Sequence, residues 1–446
     1  MGKYFGTDGI RGVVGEKLDA RLAYRIGRAA AGMLACDGEE KNEVLIARDP
    51  RISGDMLEAA LTAGLCSGGA NVGQLGILPT PAIAHLTRKS GFAMGIVISA
   101  SHNTYEHNGI KMFGSDGFKL SDAQEARIEE LIDSDAEMVN SADLGRVGRD
   151  SGYFAMDYIQ FLASNSHERF AGRVAIDCSN GAAAVTARSL FTGLGFECEF
   201  ISDNPDGINI NDKCGSTHME TLQSFVKSGH FDVGFAFDGD ADRFLVVDEL
   251  GNVVDGDMLL AVFARSMKEL GMLRGDGVVG TVVSNSGMDA FASECGFTFH
   301  RADVGDRHVL EMMMETGCNL GGESSGHMIF LDDMTTGDGQ LTAVKFLNVL
   351  AASGKTVSEL VGEVPRFPQV MPNYKLSGGT EERDAIMANP RLLEEVEKYQ
   401  EILKDEGRVL IRPSGTEAVI RVLVEAKTEQ RAAEIAQYFI DLMKSL

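Results

Sequence analysis

Short apolar runs of strand length alternate with amphipathic stretches of helical length through most of this chain, and no other feature restricts its fold as strongly. Val44-Leu45-Ile46-Ala47 reads as a buried strand, and residues 53–67 as a helix that Ser53 caps. Residues 71–75 predict a strand, 82–88 a helix, and 93–98 a strand that runs into Ser99-Ala100-Ser101-His102-Asn103. A β-α-β-α-β order of this kind predicts a largely parallel sheet with helices on both faces. The order then restarts twice. Residues 173–177, 197–201 and 232–237 predict strands, with helices over 182–194 and 219–227. A third pass begins at Leu259, crosses Val278-Val279-Gly280-Thr281-Val282 and ends in a helix that starts near Gly337. The C-terminal stretch differs, with strands over 409–412 and 419–425 around a Pro-Ser-Gly-Thr turn and a closing helix over 429–446. The expected class is therefore α/β, three consecutive similar α/β units followed by a smaller α+β cap.

Turn formers and prolines gather near 145–152, 250–255 and 365–372. They divide the chain into 1–150, 151–252, 253–367 and 368–446. At about 100–200 residues per domain, 446 residues suggest two to four domains, so this division is of a sensible size.

Charge narrows the partners. Lys and Arg number 41 against 66 Asp and Glu, a formal net charge of -25. A chain this acidic is not expected to bind nucleic acid, whose phosphates need a basic surface, nor an anionic membrane. A phosphorylated small molecule would require local clusters of Arg and Lys. The seven cysteines, Cys36, Cys66, Cys178, Cys198, Cys214, Cys295 and Cys318, form no C-x-x-C pair. They read as free thiols of a reducing cytosol rather than a disulfide or zinc framework. The opening lacks the apolar core of a signal peptide, and no apolar run reaches bilayer length, so a cytoplasmic protein is expected.

Four motifs carry chemistry. Asp238-Gly239-Asp240-Ala241-Asp242-Arg243 places carboxylates at every second residue directly after an apolar run. Three carboxylates so close repel one another unless a cation sits among them, and hard oxygen ligands suit magnesium or calcium. An EF-hand is excluded because its sixth position is Arg243 rather than Gly and strands flank the loop. In the second motif, Ser101 stands at a strand end, where a hydroxyl can act as nucleophile or phosphate carrier. His102 adjoins it, and Lys111 follows closely enough to return to the same site. The third, Gly321-Gly322-Glu323-Ser324-Ser325-Gly326-His327, matches a nucleophile elbow by letter, but Met328-Ile329-Phe330-Leu331 after it reads as strand where the elbow needs a helix. Its Glu, Ser and His suit sugar hydroxyls, which donate and accept at once. The fourth, Arg412-Pro413-Ser414-Gly415-Thr416-Glu417 with Arg421, supplies arginines, hydroxyls and a glycine backbone suited to a phosphate. Gly275-x-Gly277-x-x-Gly280 precedes a strand, and Gly354-Lys355-Thr356 lacks the first P-loop glycine, so neither nucleotide motif stands. His85, His167 and His230 show no ligand spacing.

Taken in this order, the four motifs resemble the α-D-phosphohexomutase family, and the resemblance covers essentially the whole chain. The opening Lys3-Tyr4-Phe5-Gly6-Thr7-Asp8-Gly9-Ile10-Arg11-Gly12, with Val304-Gly305-Asp306-Arg307 and Thr336-Gly337-Asp338-Gly339, is most similar to the bacterial branch that acts on amino sugars. The resemblance implies four domains with mixed sheets around one central cleft. It implies interconversion of glucosamine 6-phosphate and glucosamine 1-phosphate, on the route to UDP-N-acetylglucosamine. One Mg2+ per chain and a hexosamine or hexose 1,6-bisphosphate activator come with it. By position, Ser101 would be the phosphoserine, and Asp238, Asp240 and Asp242 would hold the metal with an oxygen on Ser101. Arg243 would lie near that phosphate, Lys111 and Arg11 would assist proton transfer and charge stabilisation, and His102, which need not be the base of Ser101, would belong to the same catalytic set. Glu323, Ser325, His327 and Arg307 would meet the sugar. Arg412, Ser414, Gly415, Thr416 and Arg421 would hold the phosphate that does not react. The C-terminal unit is expected to open and close during turnover.

Two positions depart from the family habit. Thr104 follows Ser-His-Asn where Pro is usual, which is expected to loosen the loop, since Pro would fix its backbone. Ser324 stands where the amino-sugar branch commonly carries Gln and the mannose/glucose branch Met. The neighbouring activities are therefore a phosphomannomutase/phosphoglucomutase, a metal-dependent sugar phosphatase in which water discharges Ser101, and a non-catalytic sugar-phosphate sensor. The intact Ser101 and three aspartates weigh against the sensor. The expected partner is a small phosphosugar, and a homodimer is compatible with the sequence.

Overall fold

The computed structural model describes residues 2–6, 8–36, 42–134, 138–150, 152–414 and 419–446, without the side chains of Cys36 and Asp405. Four strands recur in one arrangement in each of the first three units. In the first unit they are Glu43–Arg48, Asn71–Ile77, Met94–Ile98 and His107–Gly114. In the second they are Arg173–Asp177, Glu197–Ile201, Val233–Phe237 and Phe244–Asp248, and in the third Gly277–Thr281, Thr298–Ala302, Leu320–Gly322 and Met328–Phe330. Each time the first strand pairs in parallel with the second and the third. Each time the fourth pairs antiparallel with the third. The first sheet adds Ile10–Val13 and Val147–Arg149 at its edges, and the second adds Val253–Val254.

The sheets are thus mixed, and the expectation of a largely parallel sheet fails at the fourth strand. The link from third to fourth strand is too short for a crossover helix, so the chain turns straight back. That link leaves the carboxyl end of a central strand beside the point where the strand order reverses, the place where open α/β sheets bind ligands. In the three units it carries Ser101, Asp238 to Asp242, and Glu323 to His327 respectively.

Burial on both faces explains why the strands read as continuous apolar runs. Val44, Ile46, Ile96 and Ile98 pack to one side of the first sheet with Ile26, Leu57 and Leu61. Leu45, Ala47 and Val97 point the other way and join a core that continues through Phe235, Phe244, Phe263 and Phe346 into the next two units. The helix Gly54–Ser67 has Ser53 at its N-cap, but the hydroxyl makes no capping bond. With φ -73° and ψ -14°, Ser53 is itself helical, and its Oγ instead accepts from Asn108 Nδ2 at 2.9 Å. The helix Gly339–Ser353 is capped by Asp338, whose Oδ1 accepts from Leu341 N at 2.9 Å.

The C-terminal unit is built on Val419–Glu425, against which Gln369–Val370, Asn373–Lys375 and Arg408–Pro413 pair antiparallel. Helices Pro390–Leu403 and Glu429–Lys444 cover it, with Leu392, Ile420, Val422 and Phe439 buried between. Ser286 joins the third unit to this one, its N–H donating to Glu425 Oε2 at 3.0 Å, and the adjacent Asn285 holds the end of the third unit, donating to Phe367 O at 2.9 Å and accepting from Phe367 N at 3.1 Å. No helix of the described residues is long and apolar enough to cross a membrane. Six cysteines, Cys66, Cys178, Cys198, Cys214, Cys295 and Cys318, are free thiols.

Asp257 lies under that joint and accepts from Asn285 N at 2.9 Å. Burial, then the nearby Asp255, pushes its pKa up from 3.8 to about 6, against the opposing pull of Arg301. A carboxyl with a raised folded-state pKa contributes stability at low pH and loses it as pH climbs from its ordinary value through about 6. The loss is on the order of 3 kcal/mol over that window. Asp257→Asn is therefore expected to gain in melting temperature over the parent between pH 4 and 6, with a constant advantage above. Thermal melts across that range check it, and a difference that is flat with pH would contradict it.

Candidate active site

The three short links meet. Their common centre is the loop after Phe237, whose backbone is held by every one of the first three units. Thr80 N donates to Asp240 O at 3.0 Å, Ala182 N to Gly239 O at 2.8 Å, and Gly339 N to Ala241 O at 3.0 Å. Phe244 N donates to Gly326 O at 3.0 Å, and Arg243 forms a backbone bridge with His327. Gly326 has φ +91°, and a Cβ there would sit 2.2 Å from Phe244 O, so only glycine allows this approach.

Ser101 is buried and left-handed, with φ +52°, a conformation that costs a non-glycine residue energy and persists only where surrounding contacts hold it. Its Oγ donates to Asp238 Oδ2 at 2.6 Å and lies 3.3 Å from His102 Nδ1. Burial, and then the charges of Arg243 and Arg11, press the His102 pKa down to about 4, so this imidazole is neutral at ordinary pH.

Asp238, Asp240 and Asp242 are buried and each offers an oxygen within 4.8 Å of the others. Burial, then Asp242 and Asp240, push the Asp238 pKa well above its ordinary value. A proton or a cation is needed to relieve that repulsion. Asp240 Oδ1 and Asp242 Oδ1 are buried with no hydrogen-bond partner among the described residues. Two orphaned carboxylate oxygens in an all-oxygen set suit a hard divalent cation, so the site fits magnesium.

Cations crowd the same wall. Lys111 is buried on His107–Gly114, its Nζ 2.8 Å from Asp240 Oδ2, 3.1 Å from Asp8 Oδ2 and 3.4 Å from Asp242 Oδ2. Burial alone would lower its pKa, but Asp240, Asp8 and Asp242 outweigh burial and hold it above the ordinary lysine value. Thr80 Oγ1 also donates to Asp240 Oδ2, at 2.6 Å. Burial would raise Asp240, yet Lys111 and Thr80 together hold it below the usual carboxylate range. Arg11, on Ile10–Val13, pairs with Asp8, and Lys119 pairs with both Asp8 and Asp306. Asp306 Oδ2 in turn lies 3.8 Å from His327 Nε2. The charge of Arg243 faces Asp238, Asp242 and Glu323.

In the third link, Glu323 Oε1 accepts from Gly305 N at 3.1 Å, and Ser325 Oγ and His327 Nδ1 are buried without a hydrogen-bond partner among the described residues. Ser324 is tied through its backbone, its carbonyl accepting from Gly256 N at 3.0 Å. Arg307 goes elsewhere. Its guanidinium donates to Leu120 O at 2.7 Å and Glu125 Oε1 at 3.0 Å and pairs with Asp122, fastening the third unit to the first. Arg412 and Arg421 stand directly opposite one another on neighbouring strands. Burial, and then Arg421, lower the Arg412 pKa. Like charges in that position are unfavourable, and an anion between them would relieve the strain. Ser414 is buried next to them, whereas Gly415 and Thr416 lie outside the described residues.

Sequence reasoning did not single out Asp8, Thr80, Lys119, Arg51 or Asn211 as site residues. Arg51 follows the strand Glu43–Arg48 at its carboxyl end, a position that could have flagged it. Asn211 sits in an irregular stretch with no local signal.

Comparison with known proteins supplies the rest. Models of the phosphoglucomutase/phosphomannomutase family match in sequence along the chain: alpha/beta/alpha domain I at residues 2–138, domain II at 156–251, domain III at 255–367 and the C-terminal domain at 377–442. A phosphoglucosamine mutase of Acetivibrio thermocellus is 48% identical over 98% of this chain and 98% of its own. One of Oceanobacillus iheyensis is 46% identical over 100% and 99%. Among solved structures, a phosphoglucomutase/phosphomannomutase family protein of Burkholderia thailandensis superposes with a TM-score of 0.83 at 27% identity, over 99% of this chain and 97% of that one. An N-acetylphosphoglucosamine mutase of Aspergillus fumigatus, in complex with GlcNAc-6P and magnesium, shares the fold with a TM-score of 0.69 at 18% identity, over 98% and 95%.

Proposed function

This chain belongs to the phosphoglucomutase/phosphomannomutase family, and from that premise we propose how its cleft works. Its activity is that of a phosphoglucosamine mutase, interconverting glucosamine 6-phosphate and glucosamine 1-phosphate. The observation that carries the proposed mechanism is Ser101 Oγ at 2.6 Å from Asp238 Oδ2, on a triad of buried carboxylates that faces the sugar loop.

Phospho-Ser101 gives its phosphoryl group to the free sugar hydroxyl. The bond from phosphorus to Ser101 Oγ breaks as the bond to the sugar oxygen forms, and the proton given up by the sugar hydroxyl is balanced by the one Ser101 Oγ takes up, so that Ser101 ends as a neutral hydroxyl. The resulting 1,6-bisphosphate turns round and returns its other phosphoryl group to Ser101. Catalysis of such a transfer is mainly positioning and charge stabilisation. Asp238, Asp240 and Asp242 would hold one Mg2+, which when bound withdraws charge from phosphoryl oxygens. Lys111, kept an ammonium by its carboxylates, and Arg243 and Arg11 hold positive charge along the same wall. His102, neutral beside Ser101 Oγ, is able to accept a proton there. Glu323, Ser325 and His327 meet sugar hydroxyls in either orientation of the intermediate. Arg412, Ser414, Arg421, Gly415 and Thr416 hold the phosphate that does not react, and a hexosamine or hexose 1,6-bisphosphate primes Ser101.

³¹P NMR of the purified chain with Mg2+, a trace of glucose 1,6-bisphosphate and glucosamine 6-phosphate tests this. A growing glucosamine 1-phosphate signal is expected. Isomerisation of glucose or mannose 6-phosphate in its place would move the substrate to the neutral sugars. Release of inorganic phosphate faster than isomerisation would make the chain a phosphatase.

A further inference from the structure

Two side chains from different units close on the carbonyls of the Ser101 loop. Arg51, fully buried in the first unit, donates through Nη2 to Ser101 O at 3.1 Å and also to Asn103 O. Asn211, buried in the second unit, donates through Nδ2 to the same two carbonyls, each at 2.9 Å. Arg51 is itself set by Asp49, with which it pairs and which also accepts from Ser99 Oγ, and Ser99 Oγ accepts from Ser101 N at 3.0 Å. Asn211 is set by its backbone, whose N–H donates to Ser179 O at 2.9 Å. Gly239 completes the enclosure, since a Cβ there would lie 2.5 Å from Ser101 O and 2.7 Å from Asn211 Nδ2. Close by, Ile52 N donates to Gly207 O at 2.9 Å, so the two units are joined at this point.

We infer that Arg51 and Asn211 are positioning residues for phosphoryl transfer, a two-unit clamp that holds Ser101 in its left-handed conformation and aims its Oγ at the carboxylate triad. The inference rests on Ser101 being the phosphoryl carrier. Neither side chain is bonded to Ser101 Oγ, and both act through main-chain carbonyls. The clamp does the work that a proline at position 104 would otherwise share. Thr104 leaves that backbone freer, and four hydrogen bonds to two carbonyls restrict it instead. In-line transfer depends steeply on such placement, and an error of about 1 Å can cost on the order of 10²-fold.

Asn211→Gly removes the donor and leaves the φ of +58° at that position free of strain. Arg51→Lys keeps a cation opposite Asp49 but loses the planar fork that spans two carbonyls. Each variant is primed with glucose 1,6-bisphosphate, and phosphoserine is counted by intact mass. Isomerisation of glucosamine 6-phosphate and release of inorganic phosphate are then measured per phosphorylated Ser101. The expected result is a fall in kcat of about 10²-fold with KM within about threefold, and a ratio of isomerisation to hydrolysis that drops at least tenfold. Loss of folded protein alone would lower both rates together and leave that ratio unchanged. An unchanged ratio in Asn211→Gly, with wild-type isomerisation intact, overturns the clamp and spares the mutase reading. A wild-type chain that neither isomerises nor takes up phosphate overturns both. If Arg51→Lys does not fold, Asn211→Gly decides the matter.

Discussion

Ser101→Ala is expected to remove mutase activity by at least about 10⁴-fold while leaving the fold intact. The hydroxyl is the atom that takes and gives the phosphoryl group, and no other side chain on the same loop replaces it. His102 lies beside it, but its ring is held neutral and is not aimed at the triad by any hydrogen bond. The serine side chain contributes two contacts, from Oγ to Asp238 Oδ2 at 2.6 Å and to His102 Nδ1 at 3.3 Å, so the melting temperature should change little. Binding of glucose 1,6-bisphosphate should survive, because the residues proposed for the sugar and the second phosphate are untouched. Calorimetry with the bisphosphate and an activity assay on the same preparation separate the two effects. An alanine variant that still isomerises at the wild-type rate would remove Ser101 from the mechanism.

Asp238→Asn should lower activity and raise metal-free stability together. Asp238, Asp240 and Asp242 converge in a buried space, with two carboxylate oxygens left without a hydrogen-bond partner among the described residues. Making one of the three neutral relieves repulsion, and the amide retains an oxygen to accept from Arg243 N, now 3.2 Å from Asp238 Oδ1. The same change removes a ligand charge. At several kcal/mol of charge stabilisation from a bound cation, the loss in kcat is expected near 10³-fold. The wild-type chain should melt at higher temperature when Mg2+ is added, since anything that binds the folded state stabilises it. The variant should begin higher and respond less. Thermal melts with and without Mg2+, beside an activity titration, check both signs. A variant with a wild-type Mg2+ response would move the metal away from Asp238.

The same residues show how far the sequence could be read. The alternation of apolar and amphipathic segments specified three α/β passes and a different C-terminal unit, because both faces of each sheet are buried and the strand runs are apolar throughout. The acidic repeat after Val233–Phe237 and the arginines at 412 and 421 were legible because each concentrates unusual chemistry in a few residues. Arg307 shows the limit. Its place in a recognisable motif suggested the sugar, while the structure turns its guanidinium to Asp122, Leu120 and Glu125 on another unit.

By itself the sequence marked the α/β alternation of three units with a different C-terminal one, and placed a serine and three carboxylates on links after buried strands. Only the tertiary structure decided that the three links are equivalent positions in three sheets and that they converge. Ser101 meets Asp238 across 137 residues of chain, and Asn211 meets Ser101 across 110. Local pattern reports which face of a segment leaves water. It carries no information on which distant carbonyl a buried arginine or asparagine will satisfy, because that is set by the packing of whole units against one another.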